Sequence, residues 1–280
     1  MYKQSFTLDV GKEDRVIRGE VRIPKSAIPS PTIIFCHGFK AFKDWGFIPI
    51  LATKLAEAGF AVITFNFSMN GVGENSETYT ELDKFAHLTF SREQEDIALI
   101  LEHIHSRTLP YGDQLDKKNI GILGHSRGGG NSIIFALEHP DIKSVAVWNS
   151  IHRPDFFGED IIRELKEKGK SAILNARTGQ WMPIDREVLD DIEQNAERYH
   201  FMKRLPDLDR PLLLVQADQD HPGFLEGAQE MAKRAPKAKL KVIANANHTF
   251  GAVHPFSEMT PQLREAITET IHFFNETLKD

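Results

Sequence analysis

Short apolar runs typical of β-strands alternate along this chain with longer segments of helical periodicity. The runs read VIRGEVRI, TIIFCH, AVITFNF, NIGILGH, SVAVWNS, PLLLVQAD and KLKVIAN. Several of them are continuously apolar rather than alternating, which is typical of strands that are buried on both faces. Strands that alternate with helices predict an α/β fold, in which helices cover both sides of a mostly parallel sheet.

Two of the connecting segments carry recognisable helix starts. Ser91 followed by Gln94 has the pattern of a capping box, in which the two side chains satisfy exposed backbone N–H groups. Thr260 followed by Pro261 is typical of the first residues of a helix, and an apolar stripe follows it. Both segments are therefore predicted to pack as helices against the sheet.

The alternation is interrupted once, between SVAVWNS and PLLLVQAD. Residues 151–206 contain charged helical segments and the stretch RTGQWMPID, with no clear strand. We predict that this segment is an insertion, a small helical cap or lid, within a single domain that spans residues 1–280. No internal repeat and no obvious linker divides the chain.

Composition and charge exclude several classes of protein. The chain has 280 residues, and it contains no run of about 18 apolar residues that would span a membrane. Its formal net charge of −6 argues against a broad nucleic-acid-binding surface. The N-terminal sequence lacks the apolar core of a secretory signal, and one cysteine, Cys36, forms no internal disulfide. We therefore expect a cytoplasmic protein that binds neither membranes nor nucleic acid.

The stretch GHSRG has the G-x-S-x-G pattern of a nucleophilic serine. It follows the predicted strand NIGIL and precedes a helical segment, which is the context that a nucleophile elbow requires. Gly124 and Gly128 leave room where strand and helix crowd around a strained Ser126. A P-loop would need Lys and then Ser or Thr after the last glycine, whereas Gly130 is followed by Asn131. The pattern therefore predicts a nucleophile rather than a phosphate cradle.

A nucleophilic serine needs a base, and that base needs an orienting acid. In this fold class the expected chain order is Ser, acid, His, with each residue after a strand. Asp218 and Asp220 follow PLLLVQ, and His248 follows KLKVIAN. Asp220 lies clear of the strand and is the preferred acid, while Asp218 is better placed to bond backbone amides in the turn. His254 is the nearby alternative base.

The tetrahedral intermediate of acyl transfer needs two backbone N–H donors. The amide of Arg127 directly follows the serine, at the start of a helix whose dipole favours negative charge. The second amide is expected from the loop CHGFKAFKDWGF after an early strand, where Phe39 is the natural donor.

Four short segments together resemble the α/β-hydrolase superfamily. They are HGF at 37–39, GHSRG at 124–128, ADQD at 217–220 and NHTF at 247–250. The resemblance covers about residues 15–278 and is greatest to the branch of dienelactone-hydrolase-like and cinnamoyl (feruloyl) esterase-like proteins. The sequence departs from the family pattern in the acid turn, which has Ala217 where glycine is usual and lacks a following V-P. This leaves the choice between the two aspartates of that turn open.

The resemblance implies an eight-stranded, mostly parallel sheet and serine-dependent acyl transfer without a metal or an organic cofactor. Carried over by position, Ser126 is the nucleophile, His248 is the general base and Asp220 is its acid. The amides of Phe39 and Arg127 form the oxyanion hole.

Further side chains are candidates for contact with a substrate. His37 and His125 lie beside the oxyanion and nucleophile motifs, and both are better suited to positioning than to reacting. The insertion offers Trp181 and Met182 as candidate pocket residues, although most of its apolar residues are expected to form the insertion's own core. No H-E-x-x-H or C-x-x-C pattern occurs, so no metal site is predicted.

These features predict a serine hydrolase that cleaves a small-molecule carboxylic ester through an acyl-serine intermediate. A peptidase or amidase of the prolyl-oligopeptidase type is the first alternative, although about 30 residues before the first core strand are too few for a gating propeller. A non-catalytic ligand-binding protein on the same scaffold is the second. The sequence leaves the substrate and the oligomeric state open.

Overall fold

In the computed structural model, which describes residues 1–75 and 78–279, eight strands form one twisted sheet. In sheet order they are β1 (Tyr2–Asp9), β2 (Val16–Ile23), β4 (Ala61–Asn66), β3 (Ser30–Cys36), β5 (Leu115–His125), β6 (Ile142–Trp148), β9 (Leu212–Ala217) and β10 (Ala238–Ile243). The pairs β1–β2 and β2–β4 are antiparallel, and the pairs from β4 to β10 are parallel. The predicted α/β fold with a mostly parallel eight-stranded sheet is confirmed.

Helices cover both faces of this sheet. They are α1 (Ile48–Glu57), α2 (Leu82–Ala86), α3 (Phe90–Ser106), α4 (Arg127–Glu138), α5 (Glu159–Lys168), α6 (Glu187–Gln194), α7 (Ala196–Tyr199), α8 (Phe224–Arg234) and α9 (Pro261–Leu278). Apolar residues of α1 and α9 pack on one face of the sheet, and those of α3, α4 and α8 pack on the other. The sheet is therefore buried between two apolar layers, which explains why its central strands are continuously apolar.

The starts of two helices test the capping predictions. Helix α9 begins as expected, because the Thr260 side chain accepts a hydrogen bond from the N–H of Leu263 at 3.1 Å and Pro261 follows. The capping box at Ser91 is wrong. Thr89 caps α3 and accepts from the Arg92 N–H, while Ser91 lies in the first turn and donates to Asp191 of the insertion instead.

The insertion contains strands that the sequence did not indicate. Strands β7 (Lys170–Asn175) and β8 (Gln180–Asp185) form an antiparallel hairpin beside α5, α6 and α7. The expectation that residues 151–206 contain no clear strand is therefore wrong, while the expected helices are present. Strand β8 was not predicted because Pro183 interrupts its strand-like composition. Its side chains nevertheless alternate as in a half-buried strand, with Met182 and Ile184 buried and Trp181 exposed.

The insertion shares the core of the sheet. Six of its buried residues belong to the main apolar cluster: Ile151, Met182, Ile192, Tyr199, Phe201 and Leu205. Its own cluster is small and comprises Phe157, Leu165, Ile184, Val188 and Leu189. Ion pairs add to this contact, since Glu138 of α4 accepts from Arg198 at 2.7 Å and from Arg204 at 3.0 Å. In the described part of the chain, no helix combines the length and apolarity needed to cross a membrane.

Candidate active site

Ser126 lies at a sharp turn between the end of β5 and the start of α4. Its backbone has φ 56° and ψ −120°, a conformation that residues with a side chain rarely adopt. The turn is held by a hydrogen bond from the Ser126 N–H to the main-chain oxygen of Trp148 at 2.9 Å. This is the strand, turn and helix geometry that the G-x-S-x-G pattern predicts.

The glycines around Ser126 permit close backbone contacts. A Cβ atom at Gly124 would overlap the main-chain oxygen of Gly128, and a Cβ atom at Gly128 would overlap that of Cys36 at the end of β3. Gly38 lies on the other side, where a Cβ atom would be 3.1 Å from the Cβ atom of Ser126. The crowding expected from the sequence is present, and it brings the HGF loop against the serine.

Asp220 and His248 form a directly bonded pair. The Nδ1–H of His248 donates to Oδ1 of Asp220 at 2.7 Å. The Asp220 side chain is 1% exposed, and it also accepts from the N–H of His221 at 2.7 Å and from Nε2 of Gln216 at 3.0 Å. Burial by itself raises the pKa of Asp220, but the hydrogen bonds, that from His248 first, outweigh it and the pKa is lowered below its usual value. The acid is therefore ionised at neutral pH.

Asp218 has different partners. Its Oδ1 accepts from the N–H of Ala246 at 3.0 Å, and its own N–H donates to the oxygen of Ile243 at 3.1 Å. Backbone hydrogen bonds, that from Ala246 first, lower the pKa of Asp218. Asp218 thus connects the end of β9 to the loop after β10, whereas Asp220 contacts the histidine.

The main chain of His248 is held by the last residue of β5, His125, and by the residue directly after β6, Asn149. Its carbonyl oxygen accepts from Nε2 of His125 at 2.8 Å and from Nδ2 of Asn149 at 2.9 Å. The sequence predicts His125 as a positioning residue but does not indicate Asn149. The available signal was its place directly after β6, at the sheet edge where parallel strands end.

His37 holds the shape of the HGF loop. Its Nδ1–H donates to the oxygen of Gly38 at 2.9 Å, and its Nε2 accepts from the N–H of Phe67 at 3.2 Å. Burial lowers the pKa of His37 to about 4, so the ring is neutral in these hydrogen bonds. The side chain is 2% exposed, and the prediction that it contacts a substrate is not supported because both ring nitrogens bond to the backbone.

Arg127 is the first residue of α4, so its amide lies at the positive end of the helix dipole. Its side chain is fully buried on the opposite side of the turn. Nε donates to Glu93 at 2.8 Å, and the guanidinium lies 3.9 Å from the centre of the Phe90 ring. Burial raises the pKa of Glu93, and the positive charge of Arg127 opposes that rise. Only the backbone of Arg127 is therefore available beside Ser126.

Two cavities, each of about 430 Å³, meet at Ser126, His248, Phe39 and Lys40. We name the first cavity A; its further lining includes Trp45, Ile48, His125, Ala252, Val253 and His254. We name the second cavity B; its further lining includes Ile151, Arg153, Phe156, Phe157, His221 and Phe224. A substrate centred on the Ser126 hydroxyl therefore has space for a group on either side.

A larger cavity of about 620 Å³ lies away from the serine. Its lining comes from residues such as Lys12, Arg15, Glu95, Arg92 and Glu187, and several of these are ion-paired with one another. Size therefore does not identify the candidate site here. Cavities A and B are the better candidates because they contain the strained serine and the bonded histidine.

Not every predicted substrate contact lies at these cavities. Met182 is completely buried in the core, and Trp181 is 64% exposed on the outer face of the hairpin. Neither is among the described lining residues of cavity A or B. The predicted contact of Trp181 and Met182 with a substrate is not supported, because Met182 packs inward and Trp181 lies outside both cavities. Phe156 and Phe157 of the insertion do line cavity B.

One cluster in the described residues has the residue types of a metal site. Asp220, His221 and His248 each offer a ligand atom, and these atoms lie within 4.8 Å of one another. Asp220 is almost inaccessible, however, and its oxygens already accept hydrogen bonds. The cluster is accounted for by the bonded carboxylate and imidazole, with His221 packed beside them.

A family model described as alpha/beta hydrolase fold matches residues 31–172, just over half of the chain. The chain belongs to the alpha/beta hydrolase fold family. Membership confirms the resemblance drawn from the four sequence segments. This alpha/beta hydrolase is also 30% identical over 124 residues to the uncharacterised 31.7 kDa protein in the traX-finO intergenic region of Escherichia coli. That match covers 44% of this chain and 38% of the relative, so the chain spans about two fifths of the curated relatives' length.

Solved structures share the fold over nearly the whole chain. DcsB in complex with its substrate analogue has a TM-score of 0.75 at 17% identity, covering 99% of this chain and 100% of the other. Est1E from Butyrivibrio proteoclasticus has a TM-score of 0.70 at 16% identity and covers 99% of both chains. The dienelactone hydrolase from Anabaena variabilis has a TM-score of 0.62 at 17% identity, covering 99% and 100%. The branch indicated by the sequence is thus represented among proteins of this alpha/beta hydrolase's fold.

Proposed function

We propose that this alpha/beta hydrolase is a serine esterase that cleaves small-molecule carboxylic esters through an acyl-serine intermediate. The observation that carries the proposal is the hydrogen bond of 2.7 Å between His248 and Asp220 at cavities that also contain the strained Ser126. A nucleophile, a base and an acid that orients the base are the parts that acyl transfer needs.

The reaction begins when Oγ of Ser126 attacks the ester carbonyl carbon and its proton passes to Nε2 of His248. Asp220 keeps the His248 ring in the tautomer with the proton on Nδ1, and its negative charge stabilises the imidazolium that forms. The amides of Phe39 and Arg127 donate to the oxyanion. The imidazolium then protonates the leaving alcohol, and water, activated by the same histidine, releases the acid and restores the serine.

Cavities A and B are proposed to hold the two halves of the ester on either side of the scissile bond. The ring of Phe39 packs against Phe85, Phe156 and Phe157 with ring centres 5.2 to 5.7 Å apart. This packing holds the loop that supplies the Phe39 amide. Each step uses groups of the chain itself, and the proposal includes no cofactor. The names of the similar structures, an esterase and a dienelactone hydrolase among them, support ester hydrolysis.

The experiment measures hydrolysis of p-nitrophenyl esters of graded acyl length and aromaticity, together with the matching anilides. Ser126→Ala is expected to lose at least about 10³-fold in kcat and all labelling by a fluorophosphonate probe. The matched control is Ser132→Ala, because the Ser132 hydroxyl is also buried nearby but donates to the oxygen of Gly128. Equal activity in Ser126→Ala and the unaltered protein would contradict the proposal. Faster turnover of anilides than esters would favour the amidase, and ligand binding without turnover would favour the non-catalytic alternative.

A further inference from the structure

The carbonyl oxygen of His248 accepts hydrogen bonds from two side chains that the proposed mechanism does not use. Asn149 donates to it from Nδ2 at 2.9 Å and His125 from Nε2 at 2.8 Å. Asn149 is completely buried and His125 is 7% exposed. We name Asn149 and His125 together the carbonyl clamp. Neither residue is needed for the nucleophile, base, acid or oxyanion roles already proposed.

The segment that carries His248 needs such a restraint. Residues 244–260 connect β10 to α9 and contain no helix or strand. A general base must remain within hydrogen-bond reach of the proton that it accepts, a heavy-atom distance of about 3 Å. The hydrogen bond from Nδ1 to Asp220 orients the His248 ring, but it leaves the position of the backbone to other contacts.

Asn149 connects this loop to the sheet. Its Oδ1 accepts from the N–H of Ala217 at 2.7 Å, and its own N–H donates to the oxygen of Val215 at 2.9 Å. Its φ of 45° is one that asparagine tolerates better than most residues. The amide side chain therefore joins the end of β9, three residues before Asp220, to the backbone of His248.

His125 joins the same carbonyl to the nucleophile, because it directly precedes Ser126. Burial, followed by the nearby charge of His248, lowers the pKa of His125 to about 3. The His125 ring is therefore neutral at neutral pH. Since a carbonyl oxygen only accepts, the ring proton lies on Nε2.

We propose that the carbonyl clamp consists of positioning residues that hold the backbone of His248, so that its ring stays between Asp220 and Ser126 during proton transfer. The clamp ties the base at once to the acid-bearing strand and to the residue before the nucleophile. The inference rests on the proposed esterase function.

The first test is Asn149→Asp, which keeps the shape and the acceptor for Ala217 but replaces the N–H donor with an oxygen. We expect kcat and the rate of fluorophosphonate labelling to fall about 10- to 100-fold, with KM within about threefold. Asn149→Gly, which tolerates the positive φ but lacks the amide, is expected to show the same loss. Both variants retain Ser126, His248 and Asp220, so the loss would reflect their placement.

The matched control is Thr270→Val. Thr270 is completely buried and accepts from Nε1 of Trp148, the residue before Asn149, at 2.8 Å. This substitution removes a buried hydrogen bond next to the clamp and leaves both hydrogen bonds to the His248 carbonyl oxygen in place. We expect a lower midpoint of urea unfolding with unchanged kcat and labelling rate, which separates loss of stability from loss of positioning.

A second readout does not depend on activity. In a Ser126→Ala background, hydrogen exchange of residues 244–260 is expected to be at least about tenfold faster in Asn149→Asp than in Thr270→Val. If Asn149→Asp does not fold, His125→Phe replaces it in this exchange measurement. Unchanged exchange, or faster exchange with kcat kept within about twofold, would overturn the positioning role. Failure of the unaltered protein to react with esters or the probe would instead contradict the esterase proposal, while exchange would still report on the clamp.

Discussion

Two aspartates on either side of Gln219 have different partners, and substitution distinguishes their roles. In Asp220→Asn the carboxylate that accepts the Nδ1–H of His248 is lost, so the imidazolium is no longer stabilised. We expect kcat to fall about 10³- to 10⁴-fold with little change in KM. Asp218→Asn is the control, since an amide oxygen still accepts from the N–H of Ala246. It is expected to shift the midpoint of urea unfolding only slightly and to keep kcat within a few-fold, because that hydrogen bond is kept.

Steady-state kinetics on one activated ester, with urea unfolding of both variants, checks this pair. The result that contradicts the assignment is the reverse order, with Asp218→Asn inactive and Asp220→Asn active. Comparing the two variants therefore decides whether Asp218 or Asp220 is the acid that orients His248, which the sequence left open.

The sequence indicates some residues of the site and not others for a physical reason. Ser126, Asp220 and His248 could be predicted because each follows a strand whose apolar run is visible in the chain, and parallel strands end at one edge. Asn149 follows such a strand too, but its role depends on a carbonyl 99 residues away in the chain. Trp181 and Met182 lie outside cavities A and B, which residue type alone does not reveal because it does not show which face of a strand is buried.

At the scale of elements, the close approach of α4 to the sheet depends on glycines, whose backbone carries no side chain. A methyl group at Gly128 would meet the main-chain oxygen of Cys36, which is fixed in β3 and does not move aside. We expect Gly128→Ala to lower the free energy of unfolding by about 3 kcal/mol or more. Because the same shift would displace Ser126, we also expect loss of ester hydrolysis.

The control for this prediction is Gly158→Ala. Gly158 caps α5 with φ −62°, and a Cβ atom there would have no other atom within 4 Å. Its cost is expected to stay within about 0.5 kcal/mol. Urea unfolding of both variants measures the difference. Equal stability of the two variants would show that α4 is not packed as closely as the structure has it.

Element boundaries also show where sequence patterns lose information. The central strands of the sheet were predicted because they are buried on both faces, and an apolar run is then continuous. Strand β1 is mostly exposed and was not among the predicted runs. The hairpin of β7 and β8 was missed because its strands are only partly buried and Pro183 interrupts β8. The residue that caps α3 is Thr89 rather than the predicted Ser91, because the Ser91 hydroxyl bonds to Asp191 and Tyr199 of the insertion. Such tertiary partners leave no trace in local sequence.

At the scale of the whole molecule, the insertion and the sheet are predicted to unfold together. The apolar cluster that belongs to the insertion alone has five buried residues, which is too few to stabilise a separate unit of this length. Residues of the insertion such as Met182, Tyr199 and Phe201 are instead buried in the main core. We therefore predict that residues 1–280 form a single domain and that residues 151–206 are part of it.

Two probes of urea unfolding test this prediction. Far-UV circular dichroism follows the secondary structure of the whole chain, dominated by the sheet and its helices, while the fluorescence of the unaltered protein minus that of Trp181→Phe follows the insertion. Trp181 is 64% exposed, so its replacement is expected to change stability by less than about 0.5 kcal/mol. We expect the two transitions to coincide in midpoint and in slope, because a shared core unfolds cooperatively. An insertion transition at lower urea, with the circular dichroism signal largely intact, would show instead that residues 151–206 form an independently opening lid over the candidate active site.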